Sequence, residues 1–303
     1  MNEVAFVIIG RNEGPRLSLA IDSVLRQTPR AVYVDSGSSD GSVALAERRG
    51  LPVVELDPRF PFTPARARNA GLAWLVRDDP GLAFVHFIDG DCELVPGWLD
   101  HALSALRADG ELAAACGRRR ERDPHASPYN RLRDFEWDSS GNAARACGGD
   151  MLFRVAPFRS VGGFREDLIA GEEPDLCCRI RRCGWTIRQL DMDATIHDAA
   201  MTRFSQWWQH NRRTGYALAE GLALRGTFDP ALRRRVMRNV IWAMPPMWLF
   251  WPVLWTRVCL RGGPLLASFT TLGKLPHFQG QLDYWRRRRK PRFAETGPLI
   301  EYK

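Results

Sequence analysis

The chain has 303 residues, of which 45% are hydrophobic and 26% charged, and its formal net charge at pH 7 is +8. This length and composition are typical of a folded protein of one large domain or two smaller ones, and they exclude a low-complexity chain. The seven cysteines include no Cys-x-x-Cys pair, which predicts a reducing compartment, no disulfide framework and no zinc site.

The charge is unevenly distributed along the chain. Residues 232–303 hold 14 Lys/Arg against 3 Asp/Glu, a net of +11, so residues 1–231 carry −3 (8 − 11). A strongly basic C-terminal region favours an anionic partner, either a membrane surface or a nucleic acid. The N-terminus begins directly with a strand-like run and has no basic segment before an apolar core, so we expect no signal peptide.

Strand-like and helix-like segments alternate through the first half of the chain. We predict strands over residues 4–9, 31–35, 53–56, 82–88 and 112–116, and helices over 15–26, 42–49, 64–76 and 96–107. Alternation of this kind predicts an α/β protein with a mostly parallel, doubly wound sheet. Residues 118–138 are polar and charged and are expected to form a mobile loop, whereas residues 202–224 read as an amphipathic helix.

The character of the chain changes after residue 225. An apolar stretch over 240–255 contains four tryptophans, is interrupted by three prolines and is flanked by arginine clusters. Tryptophan prefers the headgroup level of a bilayer, so the stretch favours interfacial or re-entrant membrane attachment over a span. A helical hairpin packed on the first domain, or forming a dimer, is the alternative. The expected domains are residues 1–225 and 226–303.

The triplet Asp89-Gly90-Asp91 follows the apolar run 82–88. A buried strand that ends in two acids places them at the carboxyl edge of the sheet, where open α/β sheets bind ligands. Because side chains alternate along an extended chain, Asp89 and Asp91 point the same way. Their oxygens suit Mg²⁺ or Mn²⁺, which can neutralise a diphosphate. An ordinary turn is the alternative.

Further polar segments follow other predicted strands or open helices. Asp35, at the tip of the second strand, can accept hydrogen bonds from a base or a ribose. Arg68 can reach phosphate, although a solvated helix face is the simpler interpretation. Glu172 and Glu173 precede a helix and can supply a general base, but acids also favour the first turn of any helix.

Taken in order, these segments resemble the family 2 glycosyltransferases with the GT-A fold. The resemblance covers roughly residues 3 to 215 and rests on the order and spacing of several loose motifs. The matching stretches are 7–13 (VIIGRNE), 34–42 (VDSGSSDGS), 67–69 (ARN), 87–91 (FIDGD), 162–164 (GGF) and the pattern from Glu172-Glu173 to Arg179.

The resemblance implies an inverting transfer of a sugar from a nucleotide-diphosphate sugar, with a divalent cation (Mg²⁺ or Mn²⁺) as cofactor. It assigns Asp91 to the metal, together with Asp89 and His197, although a hydrogen-bonded core histidine is the alternative for His197. The general base would be Glu173, with Glu172 left open because the family usually has Glu-Asp here. The expected nucleotide-sugar-binding residues are Arg11, Glu13, Asp35, Asp40, Arg68, Asp89 and Asp91.

The helix predicted over 202–224 resembles the gate segment that covers the nucleotide in processive relatives. The resemblance would place Trp207 and Trp208 along the acceptor path and Arg212 and Arg213 near the diphosphate, in line with the affinity of aromatic faces for sugars and of guanidinium groups for phosphate. An amphipathic helix that packs its tryptophans onto the core is the alternative.

The expected partners are a nucleotide-diphosphate sugar donor, a glycan or lipid-linked acceptor and an anionic membrane surface. We expect the protein at the cytoplasmic face of the membrane, peripheral or monotopic, adding single sugars in the assembly of a cell-envelope or exopolysaccharide glycan. The alternatives are a catalytically inactive GT-A scaffold and a basic membrane- or nucleic-acid-binding protein. A tryptophan-rich stretch beside the arginines fits lipid better than bases, so no nucleic-acid partner is expected.

Overall fold

A computed structural model describes residues 3–137, 148–226 and 228–288. The strands in these ranges are β1 (Val4–Gly10), β2 (Ala31–Asp35), β3 (Val53–Glu55), β4 (Phe84–Asp89), β5 (Cys92–Leu94), β6 (Leu112–Glu121), β7 (Met151–Arg154) and β8 (Thr186–His197). The α-helices are α1 (Pro15–Leu25), α2 (Ser42–Arg48), α3 (Pro64–Asp78), α4 (Trp98–Ala108), α5 (Pro128–Trp137), α6 (Val155–Ser160), α7 (Glu172–Arg182), α8 (Phe204–Arg225), α9 (Pro230–Ala243), α10 (Trp251–Leu272) and α11 (Lys274–Arg288), with a 3₁₀ helix at Pro245–Phe250.

All eight strands form one sheet in the order β3-β2-β1-β4-β7-β6-β8-β5. Strands β3, β2, β1 and β4 run parallel to one another, and β6 is parallel to β8. Antiparallel pairing is confined to β7, between β4 and β6, and to the edge strand β5. The mostly parallel sheet flanked by helices confirms the predicted α/β class.

The chain packs as two compact units. The first contains the whole sheet and comprises residues 3–123, 134–137 and 148–199 of the described chain; the second is helical and comprises 124–133, 200–226 and 228–288. This division by packing falls earlier than the boundary expected at residue 225 from the sequence, and the functional domain assignment stays a prediction.

The core strands of the first unit are apolar almost without interruption. Every residue of β2 is buried, as are the first six of β1, which is the pattern of parallel strands covered by helices on both faces. In the middle of β4 lies a polar residue, His86, which is fully buried and whose Nε2 accepts a hydrogen bond of 2.9 Å from Trp98 Nε1. Burial lowers the pKa of His86 to about 3, so this histidine is a neutral core residue.

Helix α3 lies unusually close to the sheet because Gly71 has no side chain. A Cβ at this position would come within 2.3 Å of Val7 Cγ1 on β1. The helix begins where expected, with Thr63 Oγ1 accepting from the backbone N–H of Arg66 and Pro64 in the first turn. This close seating directs Arg68 into the interior, where its side chain is 2% exposed.

The expectation of a mobile loop over residues 118–138 is wrong for residues 118–121 and 128–137, and residue 138 lies outside the described residues. Strand β6 continues through the polar residues to Glu121, and α5 follows at Pro128–Trp137. The extension is held by parallel pairing with β8, which opposes Arg119 to Thr195 and Glu121 to His197. Backbone pairing with a distant strand therefore overrides the polar composition.

One cysteine departs from the expectation drawn from composition. Cys116 is disulfide-bonded, so the expected absence of disulfides does not hold at this position. The other cysteines of the described chain, Cys92, Cys177, Cys178, Cys183 and Cys259, are free.

The second unit is built around α8 and α11. A Cβ at Gly215 of α8 would come within 2.0 Å of the carbonyl oxygen of His277, and one at Gly280 of α11 within 1.9 Å of that of Arg212, so the two glycines permit the close crossing. Helix α10 is kinked at Gly263, whose φ is 81°, just before Pro264. None of the helices in the described chain has both the length and the apolar character needed to cross a membrane.

Candidate active site

Arg68 connects three carboxylates at the sheet edge of the first unit. Its Nη2 lies 2.8 Å from Asp89 Oδ1, at the end of β4, and its Nη1 lies 2.9 Å from Glu172 Oε1 and 3.4 Å from Glu173 Oε1, at the start of α7. Charge-assisted hydrogen bonds of this kind are among the stronger polar interactions in proteins. The predicted donor-binding acid and both candidates for the base thus meet at a single guanidinium.

The two glutamates differ in exposure and in proton affinity. The Glu172 side chain is 5% exposed and that of Glu173 is 18% exposed. Burial raises the pKa of Glu172 to about 8, the neighbouring Glu173 adds to the rise, and Arg68 opposes it. Burial and the charge of Glu173 thus favour the protonated form of Glu172, and Glu173 is the more accessible of the two carboxyl groups.

A second guanidinium, that of Arg119, approaches Asp89 from β6. Its Nη2 lies 3.2 Å from Asp89 Oδ2 and 2.7 Å from Asp150 Oδ2, and the group lies over the ring of Trp137. Burial opposes ionisation of Asp89, but the charges of Arg68 and Arg119 hold its pKa well below the usual value. Asp89 is thus a carboxylate held ionised between two cations.

Asp150 fixes this arrangement from the position just before β7. Its Oδ1 accepts a hydrogen bond of 3.2 Å from the backbone N–H of Asp89, and its Oδ2 accepts one of 2.6 Å from Thr195 Oγ1. Asp150 is 5% exposed, so it acts on Arg119 and Asp89 from within the protein.

Gly149 is required by the closeness of these groups. A Cβ at this position would lie 2.3 Å from Arg68 Nη2 and 2.8 Å from Asp89 Oδ2. At the adjacent Gly148, the nearest atom to a Cβ would be Arg119 Cζ at 3.9 Å, an ordinary contact. Only the second glycine of this pair is essential to the packing of the ion pairs.

Asp91 and His197 form a candidate cation site at the same edge. His197 Nε2 lies 3.6 Å from Asp91 Oδ2, and its Nδ1 lies 3.2 Å from Glu121 Oε2. With the thiol of Cys92, their ligand atoms lie within 4.8 Å of one another. The carboxylate suits Mg²⁺ or Mn²⁺, and an imidazole beside it favours the transition metal Mn²⁺ of the two. A carboxylate on the far ring nitrogen is the usual support of a ligating histidine. The donor set therefore fits the expected cation.

A second cluster, of Asp89, Cys92 and Asp150, is a poorer candidate. The Arg119 guanidinium already lies against both of its carboxylates, and burial raises the pKa of the Cys92 thiol well above its usual range. A permanent positive charge at this place disfavours a second cation. Of the three predicted metal ligands, the geometry groups Asp91 with His197 and places Asp89 with the arginines.

Four of the predicted nucleotide-sugar-binding residues lie at the end of β2 or on the loops that follow β1 and β2. Asp35 is buried, and its Oδ2 accepts from the backbone N–H groups of Gly37 and Ser38 at 2.8 and 2.7 Å. Asp40 accepts from Gly14 N at 2.9 Å. The two loops are thereby joined, and Asp35 and Asp40 both help to shape them.

Arg11 and Glu13 occupy the first of these loops. Glu13 is 6% exposed and pairs with Arg16 at 2.8 Å. The Arg11 guanidinium lies over the ring of Phe62, 5.3 Å from its centroid, and its Nε and Nη1 are buried without a hydrogen-bond partner within the described chain. Buried donors normally have acceptors, so Arg11 is the residue of this loop with hydrogen-bonding capacity left for a ligand.

Arg179 is the last residue of the motif that begins at Glu172, and it has a structural role. Its Nε pairs with Asp175 at 2.8 Å, and its Nη1 and Nη2 donate to the carbonyl oxygens of Val161 and Gly163 at 2.6 and 2.7 Å. The arginine thus ties the segment 161–164 to α7, which is a structural role in presenting the two glutamates.

The predicted gate residues lie on α8 in the second unit. Trp207 is buried and packs edge-on against Phe269 at 4.9 Å, and Trp208 Nε1 donates to Gln279 Oε1 at 3.0 Å. Arg212 pairs with Asp283 at 2.6 Å, and Arg213 also has a partner. These contacts are those of helix packing, and the role in acceptor binding stays a prediction.

Sequence reasoning missed Arg119, Glu121, Asp150 and Gly149. A signal for the first two was present, because residues 118–121 directly continue an apolar strand, and alternation would have placed Arg119 on the face opposite Arg118 and Arg120. No comparable signal marks Asp150 and Gly149, whose roles depend on the pairing of β7 with β4.

Comparison with known proteins identifies the family. Residues 5–167, more than half of the chain, match the family described as Glycosyl transferase family 2. The protein belongs to this family, and the matched region is a glycosyltransferase domain with a GT-A-like arrangement of sheet and helices.

The individual relatives share less than a third of their residues with this chain. The pre-mycofactocin glycosyltransferase of Mycobacterium tuberculosis is 29% identical over 220 residues, which cover 68% of this chain and 44% of that protein. The chain thus spans less than half the length of the curated relatives it matches.

Two solved structures have a similar fold. Mannosyltransferase PcManGT from Pyrobaculum calidifontis, in complex with GDP-Man and Mn²⁺, has a TM-score of 0.69 and 19% identity, covering 93% of this chain and 87% of its own. Glucosyl-3-phosphoglycerate synthase from Mycobacterium tuberculosis, in complex with Mg²⁺ and uridine diphosphate, has a TM-score of 0.50 and 17% identity, covering 73% of this chain and 78% of its own.

Proposed function

We propose that the protein transfers a sugar, with inversion of the anomeric centre, from a nucleotide-diphosphate sugar to an acceptor hydroxyl. The observation that carries this proposal is the position of Arg68, which lies 2.8 Å from Asp89 and 2.9 Å from Glu172. It links the end of β4, where α/β sheets bind nucleotides, to the start of α7, where a base is presented. The complexes of the two structural neighbours, with GDP-Man and with uridine diphosphate, support a nucleotide donor.

The donor nucleotide is proposed to lie over the loops after β1 and β2. The unpartnered Nε and Nη1 of Arg11 can donate to the nucleotide, and Phe62 beneath the guanidinium holds it in place. Asp89, ionised between two arginines, is a suitable acceptor for ribose hydroxyl groups. Glu13, Asp35 and Asp40 contribute by fixing the loops.

Glu173 is the proposed general base. It takes the proton of the acceptor hydroxyl as the oxygen attacks the anomeric carbon, while the bond from that carbon to the diphosphate breaks and the nucleoside diphosphate leaves. Glu173 is favoured over Glu172 because it is the more exposed of the two, 18% against 5%. The buried Glu172 then supports Arg68.

Asp91 and His197 are the residues proposed to hold a divalent cation, with Glu121 orienting the imidazole. When bound, the cation supplies Lewis-acid stabilisation of the negative charge on the departing diphosphate. The Mn²⁺ and Mg²⁺ of the two structural neighbours support this cofactor.

The acceptor is proposed to be a lipid-linked or membrane-proximal saccharide at the cytoplasmic face of the membrane, in the assembly of a cell-envelope or exopolysaccharide glycan. The support is the charge of the C-terminal region, +11 over residues 232–303, which matches an anionic membrane surface.

Calorimetry of the full chain against uridine, guanosine and thymidine diphosphates and their sugars, with and without Mn²⁺, tests the donor and the cation. We expect one nucleotide to bind in a metal-dependent way, with the affinity lost in Asp91→Asn and kept in Asp78→Asn, an exposed aspartate at the end of α3. The preferred nucleotide sugar should then be turned over, with an inverted product anomer by NMR. Binding without turnover would point instead to an inactive scaffold, and folded protein that binds no nucleotide would refute the proposal.

A further inference from the structure

A long segment of the second unit has no acidic residue. Residues 230–282 contain no Asp or Glu and seven Lys or Arg. Six of these basic residues are exposed arginines, namely Arg233, Arg234, Arg235, Arg238, Arg257 and Arg261. A segment whose charged residues are all basic carries a net positive charge, which attracts a polyanion.

Large apolar side chains are exposed in the same segment. The three most exposed in the described chain are Leu260 at 84%, Leu249 at 82% and Val253 at 65%, and Trp248 and Phe250 are about half exposed. The 3₁₀ helix leads directly into α10, where the spacing of Val253, Arg257 and Leu260 by four and three residues puts them on one side of the helix. Contiguous apolar side chains among arginines distinguish this surface from isolated exposed hydrophobic residues.

The tryptophans at this surface have their polar groups satisfied within the protein. Trp248 Nε1 donates to the carbonyl oxygen of Ala243 at 3.2 Å, and Trp251 Nε1 donates to that of Trp242 at 3.0 Å. The exposed faces of these rings can therefore move from water into an apolar medium while each indole N–H keeps its acceptor. An indole N–H without an acceptor would be the main cost of this transfer.

We propose that the surface of residues 245–261, here the docking surface, binds an anionic phospholipid bilayer. Leu249, Val253 and Leu260 enter the boundary between headgroups and acyl chains, and Arg257 and Arg261 contact lipid phosphates. This inference deepens the membrane-proximal part of the proposed function and rests on the second unit alone, so its failure would leave the proposed transfer reaction untouched.

A bilayer fits the docking surface better than a second copy of the chain. In a two-fold symmetric dimer the same patch faces itself, so the arginines of one copy would meet those of the other with no acid from residues 230–282 to compensate. Like charges opposed across an interface disfavour association. An anionic lipid surface supplies both the apolar depth and the negative charge.

Co-sedimentation of the full chain with phosphatidylcholine vesicles, with and without phosphatidylglycerol, tests the proposal. We expect binding to the anionic vesicles that weakens with salt. Leu249→Glu/Leu260→Glu should lower the partition coefficient by about a hundredfold, since each leucine loses its apolar burial. The matched control is Leu19→Glu/Leu224→Glu, two exposed leucines outside the docking surface, which should bind like the wild type.

A second pair of variants tests the electrostatic contribution to vesicle binding. Arg257→Gln/Arg261→Gln should weaken binding to anionic vesicles by about tenfold or more, whereas Arg77→Gln/Arg159→Gln, exposed arginines of the first unit, should not. Thermal unfolding of each variant verifies that it is folded.

Three results would overturn the proposal. The wild type remains in the supernatant with anionic vesicles, or the double leucine variant binds them as well as the wild type does. In the third, light scattering shows that the wild type is a dimer and the double leucine variant a monomer, and neither binds vesicles. This surface would then be a contact between two copies of the chain.

Discussion

Replacing Gly149 by alanine should separate Arg68 from Asp89 and thereby impair donor binding and turnover. The added Cβ would lie 2.3 Å from Arg68 Nη2 and within 2.9 Å of both Asp89 oxygens. All three distances are shorter than real contacts of a Cβ, and the opposing atoms are held, Asp89 by Arg119 and Arg68 by Glu172. The ion pair of 2.8 Å must lengthen or break.

The size of the effect follows from the interaction that is lost. A hydrogen bond between charged groups contributes about 1.5–3 kcal/mol, and about 1.4 kcal/mol corresponds to a factor of ten. We therefore expect kcat/KM for the preferred nucleotide sugar to fall by about 10- to 100-fold in Gly149→Ala, measured as release of the nucleoside diphosphate. Calorimetry of nucleotide binding separates an effect on affinity from one on the chemical step.

Gly148→Ala is the matched control. The nearest atom to its Cβ would be 3.9 Å away, so the same change one residue earlier should leave kcat/KM and stability near the wild type. If folded Gly149→Ala keeps wild-type kcat/KM, or if Gly148→Ala loses as much activity, then the contact of Arg68 with Asp89 does not organise the site.

Three further predictions concern the base, the cation and the second unit. Glu173→Gln should lower kcat by about 10²- to 10⁴-fold with donor affinity unchanged by calorimetry; normal turnover would contradict the base assignment. Glu121→Gln should weaken Mn²⁺ binding by about 10- to 100-fold, because His197 loses its orienting carboxylate; unchanged affinity by titration calorimetry would contradict the cation site. Burial lowers the pKa of Lys274 from 10.5 to about 8, with nearby arginines contributing, which opposes folding by about 3 kcal/mol at pH 7. Lys274→Met removes this cost but also the hydrogen bond from Lys274 Nζ to Asn239 Oδ1, worth about 1 kcal/mol, so the variant should be more stable by about 2 kcal/mol. The stability advantage of the variant should shrink as pH rises from 8 towards 10.5, because in this range the unfolded wild-type chain binds more protons than the folded one. If chemical denaturation shows the same difference in unfolding free energy between variant and wild type at every pH, this account is contradicted.

The parts of the fold that sequence reasoning predicted are those decided by local chemistry. Strand β4 is the predicted apolar run and ends at Asp89, and α3 begins at Pro64, where the sequence predicts it. In each case the signal lies within a few residues of the element it specifies, so an isolated sequence carries it.

The parts that it did not predict depend on pairing across long separations. Arg118–Glu121 is a strand because β8 lies beside it, more than 60 residues later in the chain. Asp150 reaches the backbone of Asp89 because β7 pairs antiparallel with β4, with Met151 opposite Phe87. Neither pairing is encoded in local composition. Alternation along residues 118–121 could have marked Arg119, but its contacts with Asp89 and Asp150 could be recognised only in the folded structure.

The register of the edge strand β5 has a consequence for how a cation would be bound. Cys92 is paired directly with His197 in the antiparallel ladder, and the backbone N–H of Asp198 donates to the carbonyl oxygen of Asp91 at 3.0 Å. The imidazole and the carboxylate therefore sit on main chain that is already ordered by hydrogen bonds. Preorganised ligands lose little conformational entropy on association, so we expect the cation affinity of the proposed site to depend on ion hydration and ligand basicity and little on the ordering of its main chain.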